Sequence, residues 1–105
     1  MLRPQSFLFL IRSARTSQTA QNILLNEVRR SYMGFAISRG LSYSDAEDVS
    51  QRAILRFWHK FQQNKIDTDN NPINYTFAII RTEIFAMNRS NAKRKKYFEH
   101  YEKYN

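Results

Sequence analysis

The chain has 105 residues and a mass of 12.6 kDa, too short for two domains, so we expect a single one. Hydrophobic residues make up 42% and charged residues 25%, with a mean hydropathy of −0.65, which excludes a disordered chain and a membrane span. Lys and Arg number 17 against 9 Asp and Glu, and the resulting net charge of +8 predicts a polyanionic partner, with nucleic acid as the leading candidate.

Glycine, proline and cysteine are scarce. Two glycines and two prolines favour long helices with few connections over a turn-rich β fold. A chain without cysteine forms no disulfide and no thiolate zinc site, and we expect a cytoplasmic location. The charge leaves two other interpretations open, namely a basic protein with no particular partner and one bound to an acidic protein or a ribosomal assembly.

The first 22 residues combine arginines with a short apolar run and contain no acidic residue. The run over residues 7–11 is too short to span a bilayer, and Arg12 and Arg15 follow it too closely for a secretory signal. We expect residues 1–18 to form an arm or a short helix that precedes a helical domain over residues 19–105. A mitochondrial presequence has the same composition and remains an alternative.

Two amphipathic helices are predicted next. Residues 19–39 form the first, and Gly40 suits the left-handed residue that ends it. Ser44 and Glu47 have the spacing of a capping box, which predicts that the second helix begins at Asp45. The apolar side chains of the first helix are Ile23, Leu24, Val28, Met33, Phe35 and Ile37. In the second helix, the core stripe is Ala46, Val49, Ala53, Phe57 and Lys60/Phe61, and the outer stripe is Asp48, Gln51, Leu55 and Trp58.

A third helix follows a polar loop over residues 62–71. Asn71 before Pro72 predicts an N-cap and a first helical residue, and the helix runs to the basic cluster over residues 93–96, beyond which the aromatic tail either continues it or frays. The chain is therefore predicted to be an all-α bundle of three to four helices with a long basic C-terminal helix. Its core face is Ile73, Phe77, Ile80, Ile84 and Met87.

The opposite face of this third helix interleaves aromatic and basic side chains. Between Arg81 and Lys96 there are six basic residues and one acid, Glu83. Cations neutralise phosphates and flat rings support unstacked bases, so this face suits single-stranded or melted nucleic acid. The alternative is that Phe85 packs on the first helix and the cations are only solvated. The face consists of Tyr75, Arg81, Thr82, Phe85, Arg89, Lys93 and Lys96.

No set of ionisable residues has the spacing of a catalytic site, so we expect no enzyme, cofactor or metal. The acidic cluster of Asp45, Glu47 and Asp48 is explained by the dipole at a helix start. His59 and His100 have no serine or carboxylate at the spacing of a relay, and two glycines cannot build a phosphate-binding loop.

Residues 47–51 and 54–61 together resemble region 2 of bacterial RNA polymerase sigma factors, most closely the extracytoplasmic-function group. In that family an Asp and a Gln open the helix that docks on the clamp of the largest polymerase subunit, and an aromatic tail ends it. The resemblance implies that core RNA polymerase is a partner and that Asp48, Gln51, Leu55 and Trp58 bind it.

Residues 73–89 are similar to the family's next helix, which captures flipped bases of the promoter −10 element on the non-template strand together with the loop before it. In the family a basic tail then holds the DNA backbone. Thr82 stands where the family has Asn, and Glu83 and Asn88 also depart from its pattern, which leaves the base preference open. The implied DNA-binding residues are Asn70, Asn71, Tyr75, Arg81, Thr82, Phe85, Arg89, Lys93, Arg94 and Lys96.

The family's second domain, a helix-turn-helix that reads the −35 element, would need about sixty further residues. We therefore expect an isolated domain, a separate protein that supplies the −35 contact, or another use of the docking surface. Three functions are weighed: a sigma-like transcription initiation module; a phage or plasmid protein that binds the polymerase without reading DNA; and an organellar assembly subunit that meets ribosomal RNA.

Overall fold

The computed structural model describes residues 3–66 and 71–104, with side chains as far as residue 102. Four helices follow one another as α1 (Pro4–Ala14), α2 (Gln18–Ser38), α3 (Tyr43–Gln62) and α4 (Pro72–Tyr104). The described residues contain no strand, so the prediction of a small all-α bundle is confirmed. Within these residues no helix is both long enough and apolar enough to cross a membrane.

Helix α1 packs on the bundle through the apolar run of the N-terminal segment. Phe7, Ile11 and Ala14 are buried on one face, and the Phe7 ring lies 6.5 Å from the ring of Phe57 in α3. A hydrogen bond joins α1 to α2: the side-chain amide of Gln21 donates through Nε2 to the carbonyl oxygen of Ala14 at 2.8 Å. Residues 4–14 of this segment therefore form a short helix that shares the core of the bundle.

Helix α2 lies at the centre and contacts all three other helices. Its buried residues recur at intervals of four. The helix ends at Ser38, and Gly40 adopts the predicted left-handed conformation (φ +89°) in the turn that follows. Among the apolar side chains that predicted this amphipathic helix, Ile23 and Ile37 are about half exposed. A spacing of four advances by about 40° per step, so the buried stripe winds around α2 to meet successive partners. The buried residues are Ala20, Leu24, Val28, Tyr32 and Ala36.

Helix α3 begins two residues earlier than the capping box predicted. Ser42 is the N-cap, with its Oγ accepting from the Asp45 amide at 3.1 Å, and Ser44 lies inside the first turn. Ser42 is also a residue type favoured at the N-cap, so the sequence offers a second starting point two residues earlier. The predicted core stripe is confirmed at Ala46, Val49, Ala53 and Phe57, whereas Lys60 and Phe61 are only half buried.

Helix α4 begins as predicted, because Asn71 Oδ1 accepts from the Asn74 amide at 3.3 Å and Pro72 is the first helical residue. The core face is confirmed at Ile80, Ile84 and Met87, while Ile73 and Phe77 are half buried. Helix formation continues through the basic cluster and the aromatic tail to Tyr104. Side chains at residues 92–102 are all exposed, so the distal third of α4 projects from the bundle.

A buried polar contact that the sequence did not reveal joins α2 to α4. Tyr32 is fully buried, and its hydroxyl donates to the carbonyl oxygen of Thr76 at 2.8 Å. Thr76 is buried as well, and its own hydroxyl donates to the Pro72 carbonyl oxygen at 2.7 Å. Both polar side chains therefore enter the core with their hydrogen bonds satisfied.

Candidate functional site

The outward side of α4 carries every residue that the helical spacing assigned to it. We call this set, defined as Tyr75, Arg81, Thr82, Phe85, Arg89, Lys93 and Lys96, the α4 outer face; all its members are exposed. Phe85 is 63% exposed, so the alternative in which its ring packs on another helix is wrong. The Phe85 ring therefore lies in solvent, where it is accessible to a ligand that can stack on it.

Arg89 lies one turn after Phe85 and shares its surface. The Arg89 Cζ atom is 5.8 Å from the centroid of the Phe85 ring, within the range of a cation–π contact. Arg89 is itself exposed, so its guanidinium is accessible to a ligand. The pair therefore presents a flat apolar surface and a positive charge side by side, which are the groups that bind a base and a phosphate.

The acid in this part of α4, Glu83, is turned away from the outer face. Its side chain is 15% exposed, and Oε1 lies 3.0 Å from the NH1 group of Arg56 in α3. Glu83 follows Arg81 by two residues, which is a rotation of about 200° around the helix axis. Its carboxylate is therefore directed toward α3 and not toward the outer face. The departure from the family pattern at this position therefore adds no negative charge to the outer face.

Thr82 and Tyr75 occupy the edge of the outer face nearest to α3. The Thr82 hydroxyl donates to the Ala78 carbonyl oxygen at 2.9 Å, so only its lone pairs are available to a ligand. The side chain that the family has at this position, Asn, both donates and accepts. Tyr75 is 37% exposed and offers part of its ring and its phenol to solvent.

Two cations of α3 that the sequence analysis did not assign to this site lie beside these residues. Arg56 and Lys60 line a notch of about 160 Å³ together with Tyr75 and Thr82, and Ala78 and Ile79 complete its wall. We call this cavity the α3–α4 notch. The sequence placed Lys60 at the margin of the core stripe, because its position on α3 alone does not indicate that α4 brings an aromatic ring next to it.

The remaining predicted DNA-binding residues are distributed beyond this centre. Asn71 is exposed but uses its side-chain oxygen to cap α4, and Asn70 lies outside the described residues. Lys93, Arg94 and Lys96 stand on the projecting part of α4, all of them exposed.

The outer stripe of α3 is a second exposed surface. Leu55 is 67% exposed, Gln51 is exposed, and the Asp48 carboxylate lies 3.0 Å from Arg52 NH2. The stripe ends at Trp58, whose half-buried ring stacks on Phe61 at 5.3 Å with an interplanar angle of 14°. The stripe therefore presents a largely exposed leucine between polar groups and a stacked tryptophan, which is the residue type most enriched at the centres of protein interfaces.

Burial governs the ionisation of Tyr32, whose hydroxyl bonds to the α4 backbone at Thr76. It raises the pKa of the Tyr32 phenol far above its ordinary value, an effect that the Arg56 guanidinium opposes and the neighbouring Tyr75 reinforces. Tyr32 therefore remains neutral and keeps its proton on the bond to α4. Among the described residues no group of three or more acidic or histidine side chains converges as a metal site would require, and Gln63 Nε2 lies 2.9 Å from His59 Nε2.

Comparison of the chain with protein-family models, with curated proteins and with solved structures finds no match. Any assignment of function accordingly depends on the two surfaces themselves and on the residues that carry the resemblance.

Proposed function

We propose that this protein is a sigma-factor-like transcription initiation module that docks on core RNA polymerase and binds the melted −10 element of promoter DNA. The proposal combines the resemblance in residues 47–61 and 73–89 with the exposure of both surfaces that the resemblance implies. A module with this role acts in the cytoplasm, where the polymerase and its templates are found.

The observation that carries the proposal is the α4 outer face, where Phe85 is 63% exposed beside Arg89 and no acid interrupts the surface. Flat rings next to cations bind unpaired bases in any sequence context, because every base has a π-face and every linkage has a negative charge. A regular duplex conceals its bases, so this arrangement favours a melted strand.

The proposed mechanism involves no chemical step. Melting costs a few kcal/mol for each base that leaves the stack, and stacking on an aromatic side chain returns about 1–3 kcal/mol per base. Tyr75 and Phe85 supply the rings, while Arg81 and Arg89 hold the backbone near them. The projecting part of α4 adds attraction for the flanking phosphates, which predicts a steep dependence of binding on salt.

The polymerase half of the proposal depends on the outer stripe of α3. We expect a pull-down with purified core bacterial RNA polymerase to retain the wild-type chain and to lose the Asp48→Ala/Gln51→Ala variant, with affinity falling by about tenfold or more. Gln18→Ala/Glu99→Ala is the matched control, because it removes an amide and a carboxylate from exposed positions off this stripe. Equal retention of both variants would contradict docking through α3.

The DNA half is tested on the polymerase complex with a single-stranded −10 oligonucleotide. We expect Arg81→Ala/Arg89→Ala to weaken retention by about tenfold or more, and Arg29→Ala/Arg30→Ala, which removes the same charge from exposed positions of α2, to change it by less than about threefold. Polymerase binding with unaffected oligonucleotide retention would instead favour a protein that occupies the clamp without reading DNA. Failure to bind polymerase at all would remove the proposal and leave the ribosomal RNA alternative.

A further inference from the structure

The α3–α4 notch brings together chemical groups from two helices that the sequence keeps more than ten residues apart. Arg56 and Lys60 enter it from α3, and Tyr75 and Thr82 from α4. Its volume is about 160 Å³, and it is open to solvent on one side, so it is large enough to take one phosphate group. An occupant can therefore place a small anionic group inside and leave the rest outside.

The charge in the notch matches one phosphodiester. Arg56 spends one NH group on Glu83, and its side chain is 46% exposed, so other guanidinium donors remain available. Lys60 has no ion-pair partner among the described residues. With the Glu83 carboxylate counted, the two cations leave a net charge of +1. Glu83 also fixes the guanidinium in place, which lowers the entropy lost when an anion binds.

The edge of the notch is aromatic, and this argues for a nucleic acid over a free anion. Tyr75 is 37% exposed at the edge, and Thr82 presents only acceptor lone pairs because its proton is bonded to Ala78. A phosphate held by Arg56 and Lys60 would bring its attached base against the Tyr75 ring. Both Tyr75 and Thr82 also belong to the α4 outer face, so a strand leaving the notch meets Phe85 and Arg89 next.

We propose that the α3–α4 notch binds one phosphodiester of a single-stranded nucleic acid through Arg56 and Lys60, with the attached base stacked on Tyr75. This inference depends on the DNA-binding half of the proposed function and adds α3 to a surface that the resemblance confines to α4 and its preceding loop. Lys60 is the residue to test, because Arg56 also pairs with Glu83 and its loss would disturb the packing of α3 on α4.

The experiment measures binding of a fluorescein-labelled strand of twelve thymidines to the full chain by anisotropy over a range of salt concentrations. Lys60→Gln is expected to weaken binding by about fivefold and to reduce the slope of log affinity against log salt by about 0.7, the value for one phosphate on a single strand. Lys60→Arg should restore both. Arg29→Gln, which removes the same charge from α2, should change affinity by less than about twofold.

A second arm tests the base. A strand of twelve abasic nucleotides should bind the wild-type chain more weakly than the thymidine strand. Tyr75→Ala should lower the ratio of the affinity for the thymidine strand to that for the abasic strand by about fivefold or more. Equal losses of affinity in Lys60→Gln and Arg29→Gln would overturn the notch as a phosphate site. An unchanged ratio of the two affinities in Tyr75→Ala would overturn the stacking of the base on Tyr75.

The outcomes separate this inference from the proposed function. If Arg81→Ala/Arg89→Ala weakens binding but Lys60→Gln behaves like Arg29→Gln, only the notch fails. If the wild-type chain binds no strand in either assay, the DNA half of the proposed function fails and the notch fails with it. Thermal melting of Lys60→Gln is recorded alongside, and because Lys60 is only half buried we expect no loss of the folded state.

Discussion

Tyr32 shows how one hydroxyl can fix the relation between two helices. Its ring fills the core between α2 and α4, and its proton is donated to the Thr76 carbonyl oxygen at 2.8 Å. Thr76 follows Tyr75 directly, so this bond anchors the turn of α4 that presents Tyr75 at the notch. A buried tyrosine is tolerated in this way only when its hydroxyl has a partner.

Replacing Tyr32 by Phe keeps the ring and removes this bond. We expect the free energy of unfolding to fall by about 0.5–1.5 kcal/mol at neutral pH, measured by urea denaturation. Tyr43→Phe is the control, because Tyr43 is exposed, and it should change the free energy of unfolding by less than about 0.5 kcal/mol.

The same residue predicts a pH dependence. Burial raises the pKa of Tyr32 in the folded state, so its contribution to stability is complete below about pH 10, the pKa of a tyrosine in the unfolded chain, and is lost as the pH rises above that value. The wild-type chain should therefore lose stability more steeply than Tyr32→Phe between pH 9 and pH 11. Parallel stability profiles would contradict a raised pKa at this position.

At the scale of the element, the start of α3 depends on which of two nearby serines caps the helix. Two serines offered the same capping chemistry, and Ser42 is the one whose Oγ accepts from a backbone amide, at 3.1 Å. Adding one half-turn at this end leaves the core stripe unchanged, because the stripe begins at Ala46 in either case.

The assignment is tested by a pair of matched substitutions. Ser42→Ala removes the N-cap and should lower the free energy of unfolding by about 1 kcal/mol. Ser44→Ala lies inside the first turn, where alanine has the better helix propensity, and should change it by less than about 0.5 kcal/mol in either direction. A larger loss in Ser44→Ala than in Ser42→Ala, measured by thermal or urea unfolding, would restore the start predicted from the sequence.

At the scale of the whole molecule, the buried core and a large part of the positive charge lie in different parts of the structure. The bundle buries its core along the proximal part of α4, whereas side chains at residues 92–102 contact no core and remain exposed. A helix of 33 residues is about 50 Å long, and the molecule extends 59 Å along its longest axis and 23 Å along the other two. Residues 92–105 carry five basic and two acidic side chains, which is +3 of the net +8.

This separation predicts the result of ending the chain after Asn91. We expect the free energy of unfolding to change by less than about 1 kcal/mol, since the removed side chains that the structure describes, at residues 92–102, are all exposed. The slope of log affinity against log salt for a single strand should fall by about 2, as for three phosphate contacts. Replacing Lys93, Arg94 and Lys96 by Gln in the full chain is the control and should reproduce the loss of slope. Marked destabilisation by the truncation would show that the distal helix takes part in the core.

The sequence by itself determined the all-α class, the left-handed Gly40 in the turn after α2, the start of α4 at Pro72 and most of the core stripe of α3, because these features depend on local chemistry and on the fixed period of a helix. It also determined which residues share the α4 outer face. That these residues bind DNA, and that the stripe of α3 binds polymerase, remain predictions.

Only the tertiary structure decided which apolar side chains are buried and which of two serines caps α3. It buried Tyr32 in preference to Ile37, left Phe85 in water, and chose Ser42 over Ser44 as the cap. It also brought Arg56 and Lys60 of α3 beside Tyr75 and directed Glu83 away from the outer face. Periodicity shows which side chains lie together on one helix, but the neighbouring helix decides which of them are covered and which side chains of two helices meet.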